Sequence, residues 1–485
     1  MKSRRLIPII LALSACTNQS TAGIHPGAAS DVLRLSTPIQ LSGRPPVTMS
    51  LAERMKHFKT PGVSIAYFRD GKIVWAKGFG TLSAKQNAPV TSSTQFQAAS
   101  ISKALTAMTV LSLVEEGKLD LDSEIDRYLK DWSPPANPFA PHQAPTLRQV
   151  IAHMAGFSVS GFTGYNQGEP LPNSNQILNG EPPANNPKLE ITYAPGSQTQ
   201  YSGGGYVVLE KIVEQVTGLT FERLVRERIL DPLSMTRSGY FMMSPAEMQE
   251  KFASGHDADG KEYDGGFVVY PESGPAGLWS TPSDLARMAI EVQNELAGRS
   301  ALVLSQPMAN QMLTRQLDNW ALGWEFFNAT EPAPSFYASG SNRGYKSILY
   351  VRRDGSEGVA IMTNSDNGGA LFGEILAGMA ITQDWQELRP GERKTASLNT
   401  EELSSFAGSY EFSEPLDGTL VVKPTADGIT IEIPGIAAET AFYPEVEDPL
   451  GFFALSGDFA RFEADPSGRP IALMIGDVRG LRAED

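Results

Sequence analysis

One cysteine, Cys16, in 485 residues leaves no partner for a disulfide within the chain, even in an oxidising compartment. The five histidines, His25, His57, His142, His153 and His256, are not spaced to chelate a metal with one another, so no metal and no cofactor is expected. No G-x-S-x-G occurs, which excludes the strand-to-helix nucleophile of a Ser-His-Asp α/β-hydrolase. There is no glycine-rich phosphate loop, no internal repeat and no basic aromatic patch. Forty basic residues face 55 acidic ones, a net charge of −15. Without Lys2, Arg4 and Arg5 it becomes −18. A nucleic-acid partner is therefore not expected, because a phosphate backbone is bound through cationic side chains. Length and a 41% apolar content suit one large domain and one smaller one.

Against these absences stands Ser100-Ile-Ser-Lys103, the only S-x-x-K in the chain. It lies where an extended segment, Phe96-Gln-Ala-Ala, runs into a helical pattern with Leu105, Met108 and Leu111. Serine and lysine three apart share a helical face, so the amine reaches the hydroxyl. The positive end of the helix dipole disfavours a second cation and pushes Lys103 toward its neutral, proton-accepting form. That activates a serine without histidine. A serine N-cap followed by an exposed lysine gives the same four letters with no chemistry. Upstream, residues 61–80 read as a β-hairpin turning near Asp70-Gly71. Downstream, Gly117 closes the helix, and a second short helical stretch is expected over residues 125–129.

With these motifs in this order, the chain resembles the serine β-lactamase and penicillin-binding-protein superfamily. The likeness is to the class C-related branch of D,D-peptidases and esterases, over roughly residues 49–383. It recurs at Thr146-Leu-Arg-Gln-Val-Ile-Ala-His-Met-Ala-Gly156, Pro195-Gly-Ser-Gln-Thr-Gln-Tyr-Ser-Gly-Gly-Gly-Tyr206, Asp231-Pro-Leu-Ser-Met-Thr236 and Gly277-Leu-Trp-Ser-Thr-Pro-Ser-Asp284. The resemblance implies an α+β fold: an antiparallel sheet flanked by helices, plus an all-helical subdomain. It also implies catalysis through Ser100, Lys103 and Tyr201, with Tyr201-Ser-Gly203 in the place of the family's Y-x-N motif. Phe336-Tyr-Ala-Ser-Gly-Ser-Asn-Arg-Gly-Tyr345 falls where K-T-G or H-x-G would line the cleft. By the resemblance, backbone N–H groups of Ser100 and Ser341 form an oxyanion hole, and Gly203, Ser339, Gly340, Asn342 and Arg343 are candidate substrate-binding residues. Two departures matter. Gly203 removes the asparagine that holds a substrate amide, and Ala338 removes the cation that meets a substrate carboxylate.

These departures lean the expected serine hydrolase toward small-molecule esters, amides or D-amino-acid peptides. A true β-lactamase or D,D-carboxypeptidase is an alternative, and so is a catalytically silent lactamase-fold binding protein. His153 is expected to be structural, and Trp320 and Trp324 to pack against the sheet. Within the long loop over residues 157–193, Tyr165, Asn179, Pro182 and Pro183 are candidates for a substrate rim.

Residues 1–15 read as a signal peptide: a basic start, then the apolar Leu6–Leu13, too short for a stable span. Leu13-Ser-Ala-Cys16 resembles a bacterial lipobox, which implies lipid on Cys16, a membrane as partner, and an envelope location facing the periplasm, on the outer membrane if the source is Gram-negative. Residues 16–48 read as a tether, 49–386 as the hydrolase domain and 387–397 as a linker. Over residues 398–485, short β segments such as Gly408–Phe412 and Phe459–Ala464 indicate a small antiparallel barrel resembling the lipocalin-like domains of some related hydrolases.

Overall fold

The structure is a computed structural model and describes residues 33–242, 251–328, 330–413, 418–432, 439–476 and 478–483. The expected signal peptide and Cys16 lie outside these residues. Leu33, Leu35 and Leu41, inside the expected tether, are buried. Removing such side chains from water offsets the entropy lost in ordering the segment. Arg34–Ser36 forms β1, Ile39–Leu41 β2 and Thr48–Ser50 β3, with β1 and β3 antiparallel. From residue 33 onward the tether expectation is therefore corrected: the chain is already part of the fold.

Ser50 and Glu53 form a capping box that starts helix α1, Leu51–His57. The expected hairpin follows as β4, Gly62–Arg69, and β5, Lys72–Ser83. Asp70 and Gly71 turn it with φ of 50° and 71°, the positive pair that a tight hairpin requires. β6 is Gln86–Pro89. Phe96–Gln97, Gly239–Tyr240 and Leu278–Ser280 form β7, β8 and β9, a small sheet with β9 central.

Ser335–Asn342, Tyr345–Arg352 and Glu357–Thr363 are β10, β11 and β12, and the main sheet runs β10-β11-β12-β4-β5-β6 with every pair antiparallel. Alternation along β4 splits the core in two. Ala66 and Phe68 face the larger cluster, which contains α2 (Ser102–Glu115), α3 (Gly203–Thr217) and α4 (Pro282–Leu296). Val63, Ile65 and Tyr67 face the smaller one, with Leu35 and with Leu371 and Ile375 of α5, Gly368–Gln383.

α2 differs from the amphipathic helix that its sequence suggested, since every residue from Ser102 to Leu113 is buried. Its hydroxyls return to main-chain carbonyls: Thr106 to Ser102, Thr109 to Leu105, and Ser112 to Thr109. That is how polar groups are accommodated in a helix wrapped on all sides.

The expected linker is partly ordered. Gly391–Arg393 forms β13, paired in parallel with β2. Beyond it, β14 to β21 (Gly408–Phe412, Gly418–Pro424, Ile429–Ile431, Thr440–Pro444, Gly451–Ala454, Phe459–Ala464, Pro470–Ile475 and Val478–Arg482) close into an eight-stranded barrel. Tyr410, Phe412, Phe452 and Phe462 fill its interior with Phe406.

Candidate active site

Ser100 sits on a short 3-10 turn, Ala99–Ile101, between β7 and α2. Ala99 is fully buried with φ of 51°, a conformation that a non-glycine residue holds only where its surroundings impose it. Ser102 pins the turn by donating to the Ala99 carbonyl at 2.6 Å and accepting the Leu278 N–H at 3.1 Å. One turn into the helix, Lys103 Nζ lies 3.0 Å from Ser100 Oγ and donates to the Pro275 carbonyl at 2.9 Å. Burial pushes the Lys103 ammonium down to about 7, with the Glu325 carboxylate acting the other way. Desolvation therefore does what the helix dipole was expected to do. An amine whose neutral form is populated near neutral pH, beside a hydroxyl, can accept its proton.

Tyr201 immediately precedes α3, whose N-cap Ser202 accepts the Gly205 N–H at 3.1 Å and donates to the Val159 carbonyl at 2.9 Å. The Tyr201 ring lies 4.7 Å from Lys103 Nζ, and Tyr201 lines the same cleft as Ser100. Burial raises its pKa further above neutrality, so the phenol is held protonated. His153, with φ of 60°, packs its ring 4.6 Å from Tyr201, and its Nδ1 accepts the Ser202 N–H at 3.0 Å. Burial and Lys103 hold it neutral. Its place is structural as expected, but its neighbours are the groups of the site.

The opposite wall is β10, an edge strand. Tyr337 and Glu325 exchange backbone N–H···O bonds across its free edge, at 2.9 and 3.0 Å. Because strand amides alternate, the N–H groups of Ser339 and Ser341 point to that same edge, toward Ser100. Gly340 permits the approach, since a β-carbon there would stand 2.1 Å from the Ala98 carbonyl oxygen and 3.0 Å from the Ala99 β-carbon. Between the walls is a cleft of about 360 Å³ whose lining includes Ser100, Lys103, Tyr201, Glu325 and Ser341.

A family model for beta-lactamase matches residues 50–382. The chain belongs to the beta-lactamase family. Its antiparallel sheet, flanking helices and appended barrel are the expected fold. This beta-lactamase family member is 24% identical over 320 residues to Protein flp of Staphylococcus aureus (strain MRSA252), which covers 63% of the chain and 59% of that relative's length. In fold it is similar to the octameric penicillin-binding protein homologue from Pyrococcus abyssi (TM-score 0.58, 22% identity, 89% of this chain and 98% of the other). It is also similar to the D-amino acid amidase from Ochrobactrum anthropi SV3 solved with L-phenylalanine amide (TM-score 0.52, 20% identity, 69% and 96%).

The candidate residues of this beta-lactamase family member sort clearly by position. Ser100, Lys103, Tyr201, Gly203, Ser339, Gly340, Ser341 and Asn342 all line the cleft. Asn342 is buried and donates to Gln97 Oε1 at 2.7 Å and to the Ala276 carbonyl at 3.2 Å, which braces β10. Arg343 is a correction: exposed, it stacks 4.8 Å over the Tyr263 ring outside the cleft. Its turn follows the last residue of β10, so its side chain leaves the cleft edge.

Other expectations change too. Trp324 packs on Phe336 of the sheet as expected, but Trp320 packs edge-on 4.5 Å from the His153 ring and lies 5.7 Å from that of Tyr201. Tyr165, Asn179, Pro182 and Pro183 do not line the cleft; Tyr165 is buried, and Asn179 accepts from Trp132 Nε1 at 3.0 Å. From the same loop it is Ser160, Gly161 and Phe162 that do.

Among the cleft residues that sequence reading missed are Phe162, Glu325 and Lys346. The only signal for Lys346 was a charge inside an apolar strand, and register with β10 was needed to set it opposite Ser341.

Proposed function

We propose that this protein cleaves amide and ester bonds of small acyl compounds, D-amino-acid amides and peptides among them, through an acyl-enzyme on Ser100. The observation that carries this reading is the buried Lys103 amine, held at about 7, 3.0 Å from Ser100 Oγ. In this mechanism neutral Lys103 takes the Ser100 proton as Oγ attacks the carbonyl carbon. The developing oxyanion is held by the Ser100 and Ser341 N–H groups, each donor contributing about 3–4 kcal/mol in comparable sites. Tyr201, protonated, hands its proton to the departing nitrogen or oxygen and is reprotonated from Lys103, which completes the exchange. Water then attacks the acyl-serine, giving up a proton by the same route in reverse, and releases the acid. The fold likeness to a D-amino acid amidase supports amide substrates, and the missing Asn at 203 supports small ones.

The test compares the wild type with Ser100→Ala, both lacking residues 1–16, on a chromogenic short-chain ester, a D-amino-acid anilide and a chromogenic cephalosporin. Mass spectrometry of quenched reactions reads the adduct. Turnover and an acyl increment on Ser100, both lost in the variant, support the proposal, whereas turnover that survives Ser100→Ala refutes it. Efficient cephalosporin hydrolysis would move the substrate class to β-lactams.

The lipobox-like Leu13-Ser-Ala-Cys16 supports a lipid anchor that holds the enzyme at the bacterial envelope. Cys16→Ser is expected to move the protein from the detergent phase to the aqueous phase.

A further inference from the structure

Building on the acyl-enzyme reading, we infer that Lys346 recognises a carboxylate of the substrate, which makes acyl compounds bearing an anionic group near the scissile bond the favoured class. Position 338, where the family's cation would stand, cannot serve: Ala338 is buried in the larger core. The cation comes instead from the next strand. Antiparallel register places Lys346 of β11 opposite Ser341 of β10, and its Nζ donates to Ser341 Oγ at 2.9 Å, beside the backbone amide assigned to the oxyanion.

Lys346 keeps a fifth of its side-chain surface open and lines the cleft. Its counter-ion is Asp366, with Oδ1 at 3.3 Å. That carboxylate also accepts the Gly344 N–H at 2.8 Å and the Tyr263 hydroxyl at 2.6 Å, which hold it in place beside β11 while the ammonium keeps its contact with the cleft. The Asn342 carbonyl, at 3.5 Å, adds a weak third contact.

The cleft is polar in a directional sense. Glu325 lines it beside Lys103, while Lys346 and the Ser341 hydroxyl line it along the strand. A substrate anion is repelled from the first region and meets an ammonium and a hydroxyl in the second. A compact ammonium on a flexible stem suits a single carboxylate.

Three 4-nitrophenyl or phenyl ester probes separate the outcomes: a neutral acetate, a glutarate mono-ester with its carboxylate on the acyl part, and 3-acetoxybenzoate with its carboxylate on the leaving part. The readout is the ratio of kcat/KM for each charged probe to a neutral probe with the same leaving-group chemistry. In wild type at least one ratio is expected to exceed 10. Lys346→Met is expected to lower it at least tenfold through KM, Lys346→Arg to retain most of it, and Asp366→Asn, which removes the internal counter-ion, to raise it. Melting curves establish that each variant is folded, and the Arg and Asn variants carry the test if the Met variant is not. Ratios near one in wild type, or a ratio unmoved by Lys346→Met, overturn the inference and leave the hydrolase reading intact. Failure of wild type to turn over or be acylated by any probe overturns both.

Discussion

The Phe162 ring stands where a side chain at position 203 would go: a β-carbon built on Gly203 would lie 2.9 Å from Phe162 Cε2 and 3.1 Å from the Ser160 carbonyl oxygen. The Phe162 ring thus occupies space that a side chain at position 203 would need, so one of the two must shift when both are present.

Restoring the asparagine alone is therefore expected to fail. Gly203→Asn should destabilise the protein by about 1–3 kcal/mol, the usual cost of overpacking, and reduce turnover. Combined with Phe162→Ala it should recover stability and gain activity on acylated amides relative to esters. Thermal unfolding and paired amide and ester assays read the coupling, which must be strongly non-additive. Additive effects would show that Phe162 does not block the site.

Activity should depend on the neutral form of Lys103. The pH profile of kcat/KM is expected to rise through an acidic limb near pH 7, where burial places the amine. Glu325 favours the ammonium, so Glu325→Gln should move that limb to lower pH. An unmoved or upward-shifted limb would exclude the pairing.

The same depressed lysine makes a stability prediction of defined sign. Above 10.5 the amine is neutral folded and unfolded, and burial carries no ionic cost. As pH falls from 10.5 toward about 7 the unfolded chain binds the proton first, and folding is penalised increasingly, fully so below that range. Lys103→Met should therefore be inactive yet melt higher than wild type near pH 7, by about 2–4 °C per kcal/mol recovered. The advantage should shrink toward pH 10. Equal melting temperatures across that range would contradict a costly buried amine.

Starting the chain at residue 49 is expected to weaken the hydrolase domain. β1 places Leu35, fully buried, in the cluster that holds Leu371 and Ile375 of α5. Leu35→Ala should cost about 2–5 kcal/mol, as other buried leucines do. Truncation at 49 should cost at least as much, read by denaturant unfolding. A truncated chain as stable as one starting at residue 17 would restore the tether reading.

Much of the site was legible because local chemistry wrote it. Ser100 and Lys103 are one helical turn apart, so any helix there brings them together. The hairpin at Asp70-Gly71 and the short barrel segments such as Phe459–Ala464 followed from turn chemistry and alternation over a few residues. Gly203 and Ala338 were readable as losses. What those losses mean was not, because the residue that answers each is brought to the cleft only by folding.

Spacing and periodicity by themselves pointed to the Ser100–Lys103 turn, the hairpin at Asp70-Gly71 and the short strands of the appended barrel, which depend on neighbours along the chain, while the antiparallel sheet and the other residues to watch were what the family resemblance implied. Tertiary structure alone decided that α2 is buried on every side and that burial rather than the helix dipole depresses Lys103. It also decided that Phe162 fills the space over Gly203, and that β11 lends Lys346 to a cleft whose own strand carries alanine. Desolvation of Lys103 arises only when segments tens to hundreds of residues apart pack around it, and the place of Lys346 only when the β10–β11 hairpin is set beside the nucleophile turn.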